Sequence, residues 1–229
     1  PSATTSIILS EKANSKAKAE NLLVIGNPEF NRSNNSTLQN LESAEKEATE
    51  ISKFYEKPTK LIKSQATKSE VLANFSKANV FHFAGHYVAN PNSSLNSKLL
   101  LTQPTNSKDE FEGELRASEI LQLKKANLKL AVLSACETGI ERYYKGEGAI
   151  GMARTFLAVG TPIVVASQWK VESESTSELM KMFHRNRKEK GLIPSEALRQ
   201  AQLEMIAKKE FSEPYFWSSF SAVGGNVNY

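Results

Sequence analysis

The sequence predicts an α/β fold in which a mostly parallel sheet is covered by helices on both faces. Three observations predict it. Four short apolar runs, at 22–26, 79–84, 128–135 and 163–167, are continuous rather than alternating, as in strands buried on both sides. Segments with helical spacing separate these runs, and strand–helix alternation is the signature of a parallel sheet. No composition break or internal repeat divides the 229 residues, so a single domain is expected.

In chain order, residues 1–20 are polar around Ile7-Ile8-Leu9 and read as a lead-in segment, with residues 21–229 as the domain. The start at Pro1-Ser2-Ala3 is expected of a piece of a longer protein. Leu22–Gly26 runs into Asn27-Pro28, a strand entering a turn. Leu38, Leu41, Ala44, Ala48, Ile51 and Phe54 then recur at helical spacing, so a helix is expected over 38–56. A short strand follows near Lys60–Lys63. Thr67-Lys68-Ser69-Glu70 is a capping box opening a helix to about Ser76. The next strand, Asn79–Ala84, ends in Gly85-His86, and residues 98–102 form a short strand in a loop-rich excursion. Cys136 directly follows the strand 128–135. A helix over 148–159 is stopped by Gly160-Thr161-Pro162 before the strand 163–167. Ser175–Glu178 reads as a second capping box for a helix to about Lys188. A helix over 194–208 and a mixed strand over 215–223 complete the chain.

Composition narrows the function. Twenty-nine basic against 25 acidic residues give a net charge of +4, too evenly spread to call for nucleic acid. No apolar run approaches the roughly 20 residues that span a bilayer, and no signal peptide is visible, so a cytoplasmic location without membrane association is expected. One cysteine excludes an intramolecular disulfide and a Cys-rich zinc site. A zinc site from His82, His86 and Cys136 fits poorly, because H-x-x-x-H pairs ligands on a helix and this segment reads as strand and turn. His82, between two phenylalanines, reads as a core histidine with a hydrogen-bond partner, and His184, on a charged helix, as solvent-facing. Gly146-Glu147-Gly148-Ala149-Ile150-Gly151 matches a dinucleotide fingerprint. That motif must follow its strand directly, and residues 137–145 intervene, so no cofactor is called for.

Sites in open α/β sheets form at the carboxyl ends of strands. Two such ends carry His86 and Cys136, 50 residues apart. If their strands are neighbours, an imidazole within reach of the thiol can hold it as thiolate, the nucleophilic form. The plain alternative is a buried, inert cysteine.

A series of motifs then points to a family. L-L-V-I-G-N-P at 22–28, F-H-F-A-G-H at 81–86, V-L-S-A-C-E-T-G at 132–139, G-E-G-A-I-G-M-A-R-T-F-L-A-V-G at 146–160, V-V-A-S-Q-W-K-V at 164–171, S-E-A-L-R-Q-A-Q-L at 195–203 and P-Y-F-W-S-S-F at 214–220 occur in order. Across 22–225 the chain resembles a CHAT domain, a caspase-like module often attached to tetratricopeptide repeats in bacterial proteins. The resemblance implies a caspase-like three-layer α/β/α sandwich and a cysteine peptidase dyad, with Cys136 as nucleophile and His86 as proton partner. It also implies oxyanion donors from the backbone N–H groups of Cys136 and Tyr87, and a substrate groove lined by Ser167, Gln168 and Trp169. Many members have glycine where this chain has Tyr87, so strain is expected there if the position needs positive φ. Glu172 and Glu174 replace a paired-aspartate segment and are candidates for a pocket acid favouring Arg or Lys before the cleaved bond. The implied partners are a protein substrate and a tetratricopeptide-repeat or other sensor region that reorders loops 137–147 and 168–176. A non-catalytic interaction domain is the alternative.

Overall fold

The structure is a computed structural model. It describes residues 20–33, 35–90, 92–107, 109, 111–123, 127–137, 150–169 and 172–225, with the backbone alone at 136, 137, 150 and 151. In chain order the elements are β1 (Leu22–Gly26), α1 (Glu42–Ser52), β2 (Thr59–Ile62), α2 (Lys68–Phe75), β3 (Val80–Val88), β4 (Lys98–Leu100) and β5 (Glu114–Arg116). They continue with α3 (Ala117–Leu121), β6 (Leu130–Glu137), α4 (Ile150–Ala158), β7 (Ile163–Ser167), α5 (Ser173–Lys190), α6 (Pro194–Ile206), α7 (Pro214–Trp217) and β8 (Phe220–Gly224).

The sheet order is β2-β1-β3-β6-β7-β8. The first five of these strands are mutually parallel, and β8 closes the edge antiparallel to β7. Successive strand residues face opposite sides, and each side has its own core. Leu23, Ile25, Phe81, Phe83, Leu133 and Val164 meet α2, α3 and α4. Phe81 lies between Phe75 and Phe156, with ring centroids 5.3 Å from each. Leu22, Val24, Val80, Val132 and Val165 meet α1, α5 and α6. These are the helix layers on both faces that the continuous apolar runs require. Each large side chain so buried contributes about 1.5–3 kcal/mol. At Gly26 the helix layer comes so close that an added Cβ would lie 2.6 Å from Ala48 Cβ and 2.8 Å from Ala44 O, so α1 seats against the end of β1 only because no side chain is there.

Several boundaries differ from expectation. Helix α1 starts at Glu42, because Leu38 packs with Phe30 and Leu100 in a separate cluster. Strand β3 runs on through His86 to Val88, because β6 on one side and β4 on the other supply ladder partners past Ala84. Cys136 lies within β6 for the same reason. The excursion after β3 is a hairpin, β4 with β5, followed by α3. The Ser175–Glu178 box is not used. The helix begins one turn earlier, where the Glu172 carboxylate accepts from the N–H groups of Glu174 and Ser175. The Thr67 cap is as expected, accepting from Glu70 N–H at 3.3 Å. Pro214, preset for a first helical position, turns 214–217 into a short helix before β8. No helix among the described residues is long and apolar enough to cross a membrane.

Candidate functional site

His86 and Cys136 are register partners on β3 and β6, the two central parallel strands, near their carboxyl ends. Adjacent strands lie about 4.8 Å apart, and parallel partners share a face of the sheet. The two residues therefore occupy neighbouring positions on the face that carries His82 and Val132. No sequence motif spans this pairing, which arises because β3 and β6 sit side by side in the sheet.

His86 is 3% exposed, and its surroundings come from the loop between β1 and α1. Its Nε2 lies 2.7 Å from the main-chain oxygen of Gln39. A carbonyl oxygen only accepts, so the ring proton of neutral His86 sits on Nε2 and Nδ1 is the basic nitrogen. The ring also meets Phe30 edge-on, at 5.0 Å between centroids and 84° between planes. Asn27 holds the loop. Its N–H donates to Ala84 O, its Oδ1 accepts from Leu41 N–H at 3.0 Å, and its φ of 49° is one that asparagine tolerates. Asn27, Phe30 and the Gln39 carbonyl were not foreseen as site residues. The Asn-Pro turn was the available signal for the first, whereas a main-chain carbonyl leaves no sequence trace. Phe30 also walls an open hollow of about 340 Å³ with Glu29, Asn31, Gln103 and Thr105.

Tyr87 takes ordinary strand geometry, paired with Leu99 of β4 and with Glu137 of β6, and it is not among the positive-φ residues. The expected strain is absent, because the ladder holds this residue extended. The neighbouring strand end carries Ser167, Gln168 and Trp169. Ser167 is buried and its hydroxyl donates to Ala135 O at 3.0 Å. The Gln168 side-chain amide donates to Ser221 Oγ, and Trp169 packs on the core beneath α5 and α6. Glu172 and Glu174 are exposed, and the Glu172 carboxylate is engaged as the α5 cap. Thr138–Gly139, Gly146–Ala149, Lys170 and Val171 lie outside the described residues, as does Tyr143-Tyr144-Lys145.

Further along the same face of the sheet is a buried polar chain that the sequence revealed only in part. His82 finds partners as expected: its Nε2 is 2.7 Å from Glu47 Oε1 and its Nδ1 is 3.1 Å from His184 Nε2. His184, expected in solvent, is fully buried. Its stripe on α5 continues Thr176 and Met180 toward Arg187, and that spacing was the overlooked signal. The Nδ1 of His184 is 2.8 Å from Tyr55 Oη, which accepts from Arg187 Nη1 at 2.9 Å. Arg187 also pairs with Glu20 at 2.6 Å. The donors run one way. The Glu47 carboxylate only accepts, and reading back from it through His82 and His184 the Tyr55 proton goes to His184 Nδ1. The His184 proton is then on Nε2 and goes to His82 Nδ1, and the His82 proton goes from Nε2 to Glu47. Burial, then the neighbouring His82, Arg187 and Lys188, hold His184 well below the usual histidine range. Burial raises the Glu20 carboxyl, but Arg187 and Lys188 outweigh it and the net shift is downward.

The five parallel strands, the antiparallel edge strand and the helices on both faces define a caspase-like α/β/α protein. Among solved structures the chain is similar to the Arg-specific cysteine proteinase gingipain R, with a TM-score of 0.62 at 14% identity over 96% of this chain and 51% of that one. It is also similar to separase in the Saccharomyces cerevisiae separase–securin complex, with a TM-score of 0.61 at 16% identity over 100% of this chain and 14% of that one. At such identities the likeness is one of fold. The chain belongs to the CHAT domain family, whose profile matches residues 1–225. Among curated proteins it is similar to tetratricopeptide repeat protein 28 of Homo sapiens and of Mus musculus, 27% identical to each over 214 residues and 81% of this chain. It spans only 8% of the human protein's length and 9% of the mouse protein's.

Proposed function

We propose that the chain is a cysteine endopeptidase module that cleaves a protein partner with a Cys136–His86 dyad. One observation carries this reading: β3 and β6 bring His86 and Cys136 into register at the carboxyl ends of adjacent parallel strands. The Gln39 carbonyl supports it by fixing the His86 tautomer. In this mechanism His86 Nδ1 takes the thiol proton, and the Cys136 thiolate adds to the scissile carbonyl. The oxyanion is stabilised by preorganised N–H donors. The tetrahedral species collapses as the imidazolium protonates the leaving amine, giving an acyl-thioester and a free amino-terminal product. His86 then takes a proton from water, the hydroxide adds to the thioester, and Cys136 leaves with the carboxylic acid released.

Ser167, Gln168 and Trp169 flank the dyad at the end of β7 and border the substrate path. Glu172 and Glu174 stand at its outer edge, where a basic substrate residue would meet negative charge. The hollow beside Phe30 offers room for a further substrate side chain. Control by a sensor region accords with the tetratricopeptide-repeat proteins among the relatives. The securin complex of separase is a precedent in this fold for a protein partner.

The test is a labelled-peptide cleavage screen on the protein with and without its neighbouring regions, with Cys136→Ala and His86→Ala as controls. Cleavage lost in both variants is expected. Alkylation of Cys136 should proceed well below the free-thiol pKa of about 8.5. A chain that cleaves nothing, and whose thiol alkylates only as an ordinary cysteine, is instead an interaction domain.

A further inference from the structure

The strand that carries His86 runs on past it to a second hollow. At this end of β3 its neighbours are β6 on one side and β4, which takes over from β1, on the other. Val88 lies two residues beyond His86 on the same face, about 6.6 Å along the strand. Its register partner is Lys98 of β4, and the partner of Lys98 is Arg116 of β5, so both cations stand on the His86 face. Val88 packs against the cluster of Phe30, Leu38 and Leu100, and Phe30 is the ring that meets His86 edge-on, so imidazole and hollow share a wall.

Val88, Ala89, Asn90, Asn96, Lys98 and Arg116 line this hollow of about 250 Å³, and none of them is acidic. Lys98 and Arg116 share one carboxylate, that of Glu114, which is 8% exposed. Lys98 Nζ donates to its Oε1, and Arg116 Nη2 donates to its Oε2 at 3.1 Å. The carboxylate of Glu119 on α3 is matched by Lys68 at 2.5 Å. Two cations on one carboxylate leave one positive charge over, and both side chains still reach solvent. The Asn90 side-chain oxygen accepts from the N–H groups of Asn92 and Ser93, so its NH2 is the end that faces outward to donate.

Cys136 would hold the acyl half of a substrate, and His86 must reach the leaving amine to protonate it. The direction from Cys136 to His86 runs from β6 to β3, and continued it meets β4. Residues after the cleaved bond would thus pass over Val88 toward Lys98 and Arg116, a distance that an extended dipeptide of about 7 Å covers. We propose that this hollow is a subsite for an acidic side chain, Asp or Glu, at the first or second position after the cleaved bond. The inference rests on the peptidase reading and narrows its substrate class.

Internally quenched peptides that differ only in Glu or Gln at these two positions test it. The readout is the Glu-to-Gln ratio of kcat/KM, in which a general loss of activity cancels. A preference of about 5-fold for Glu is expected, near the upper end for a partly exposed charge pair. High salt should screen it toward unity. Lys98→Gln leaves Arg116 balanced by Glu114 and should abolish the preference, whereas Lys98→Arg should keep it. Glu114→Gln frees both cations and should raise it. A ratio of unity in the unsubstituted chain overturns the inference, as does a preference that Lys98→Gln leaves intact. If the chain cleaves nothing, the peptidase reading fails by itself and binding decides. Acetyl-Ala-Glu-Ala-amide, titrated into the isotope-labelled chain, should then shift the backbone amides of Asn90, Asn96 and Lys98 at about 5-fold lower concentration than its Gln analogue. That difference upholds the hollow as an acidic-side-chain site, and equal shifts with both peptides overturn it.

Discussion

Replacing Tyr55 by Phe tests the one-way donor chain from Arg187 to Glu47. The substitution removes one oxygen and almost no volume, so no cavity of consequence is created. It withdraws the proton that Tyr55 donates to His184 Nδ1 at 2.8 Å and the oxygen that accepts from Arg187 Nη1 at 2.9 Å. His184 is 0% exposed, so its Nδ1 loses that donor where water does not compensate. A neutral hydrogen bond is worth about 1 kcal/mol and one to a charged group about 1.5–3 kcal/mol. Arg187 keeps Glu20, which tempers the second loss. The expected destabilisation is about 2–3 kcal/mol, a large share of the 5–15 kcal/mol typical of a domain. Urea unfolding followed by tryptophan fluorescence should show a midpoint lowered by roughly 1 M with the slope unchanged. A change below about 0.5 kcal/mol would refute the argument, because it would mean that Tyr55 is not the donor to His184 or that the chain carries no net free energy.

The remaining predictions concern pH and packing. The folded state holds His184 well below its unfolded value of about 6.5, so the unfolded chain binds the extra proton. Stability should be level above about pH 7 and decline as pH falls below 6.5, by at most about 1.4 kcal/mol per pH unit for this group. Glu20, also lowered in the folded state, adds a second decline below about pH 4.5. Unfolding midpoints from pH 8 to 4 check both, and a flat profile between 7 and 5 contradicts the first. Gly26→Ala would drive a Cβ to 2.6 Å from Ala48 Cβ, and an overpacking loss of about 1–3 kcal/mol is expected in thermal unfolding. A neutral result there would mean that α1 can move away from β1 without cost.

The core strands were legible because a strand buried on both faces must be apolar at every position, and Leu22–Gly26 and Ile163–Ser167 are. The Thr67 cap was legible because its two ends are three residues apart. The start of α5 was misread for a related reason. Ser175–Glu178 and Glu172 are both local capping signals, and packing of Thr176 and Leu179 into the core selects the earlier one. His184 was misplaced because its neighbours in sequence are charged, while its partners are His82 on β3 and Tyr55 just after α1, more than 100 residues away.

By itself the sequence determined the layered α/β architecture and the family, and it singled out Cys136 and His86 for a site. Apolar periodicity and motif spacing are local properties, written along the chain. Only the tertiary structure decided that β3 and β6 are neighbours in a register that sets His86 beside Cys136. It alone showed that a main-chain oxygen at Gln39 chooses the imidazole tautomer, and that the Ser167 hydroxyl is given to the backbone before Cys136. Those contacts join residues 32 to 50 positions apart, several through main-chain atoms that every residue shares, so no side-chain pattern announces them.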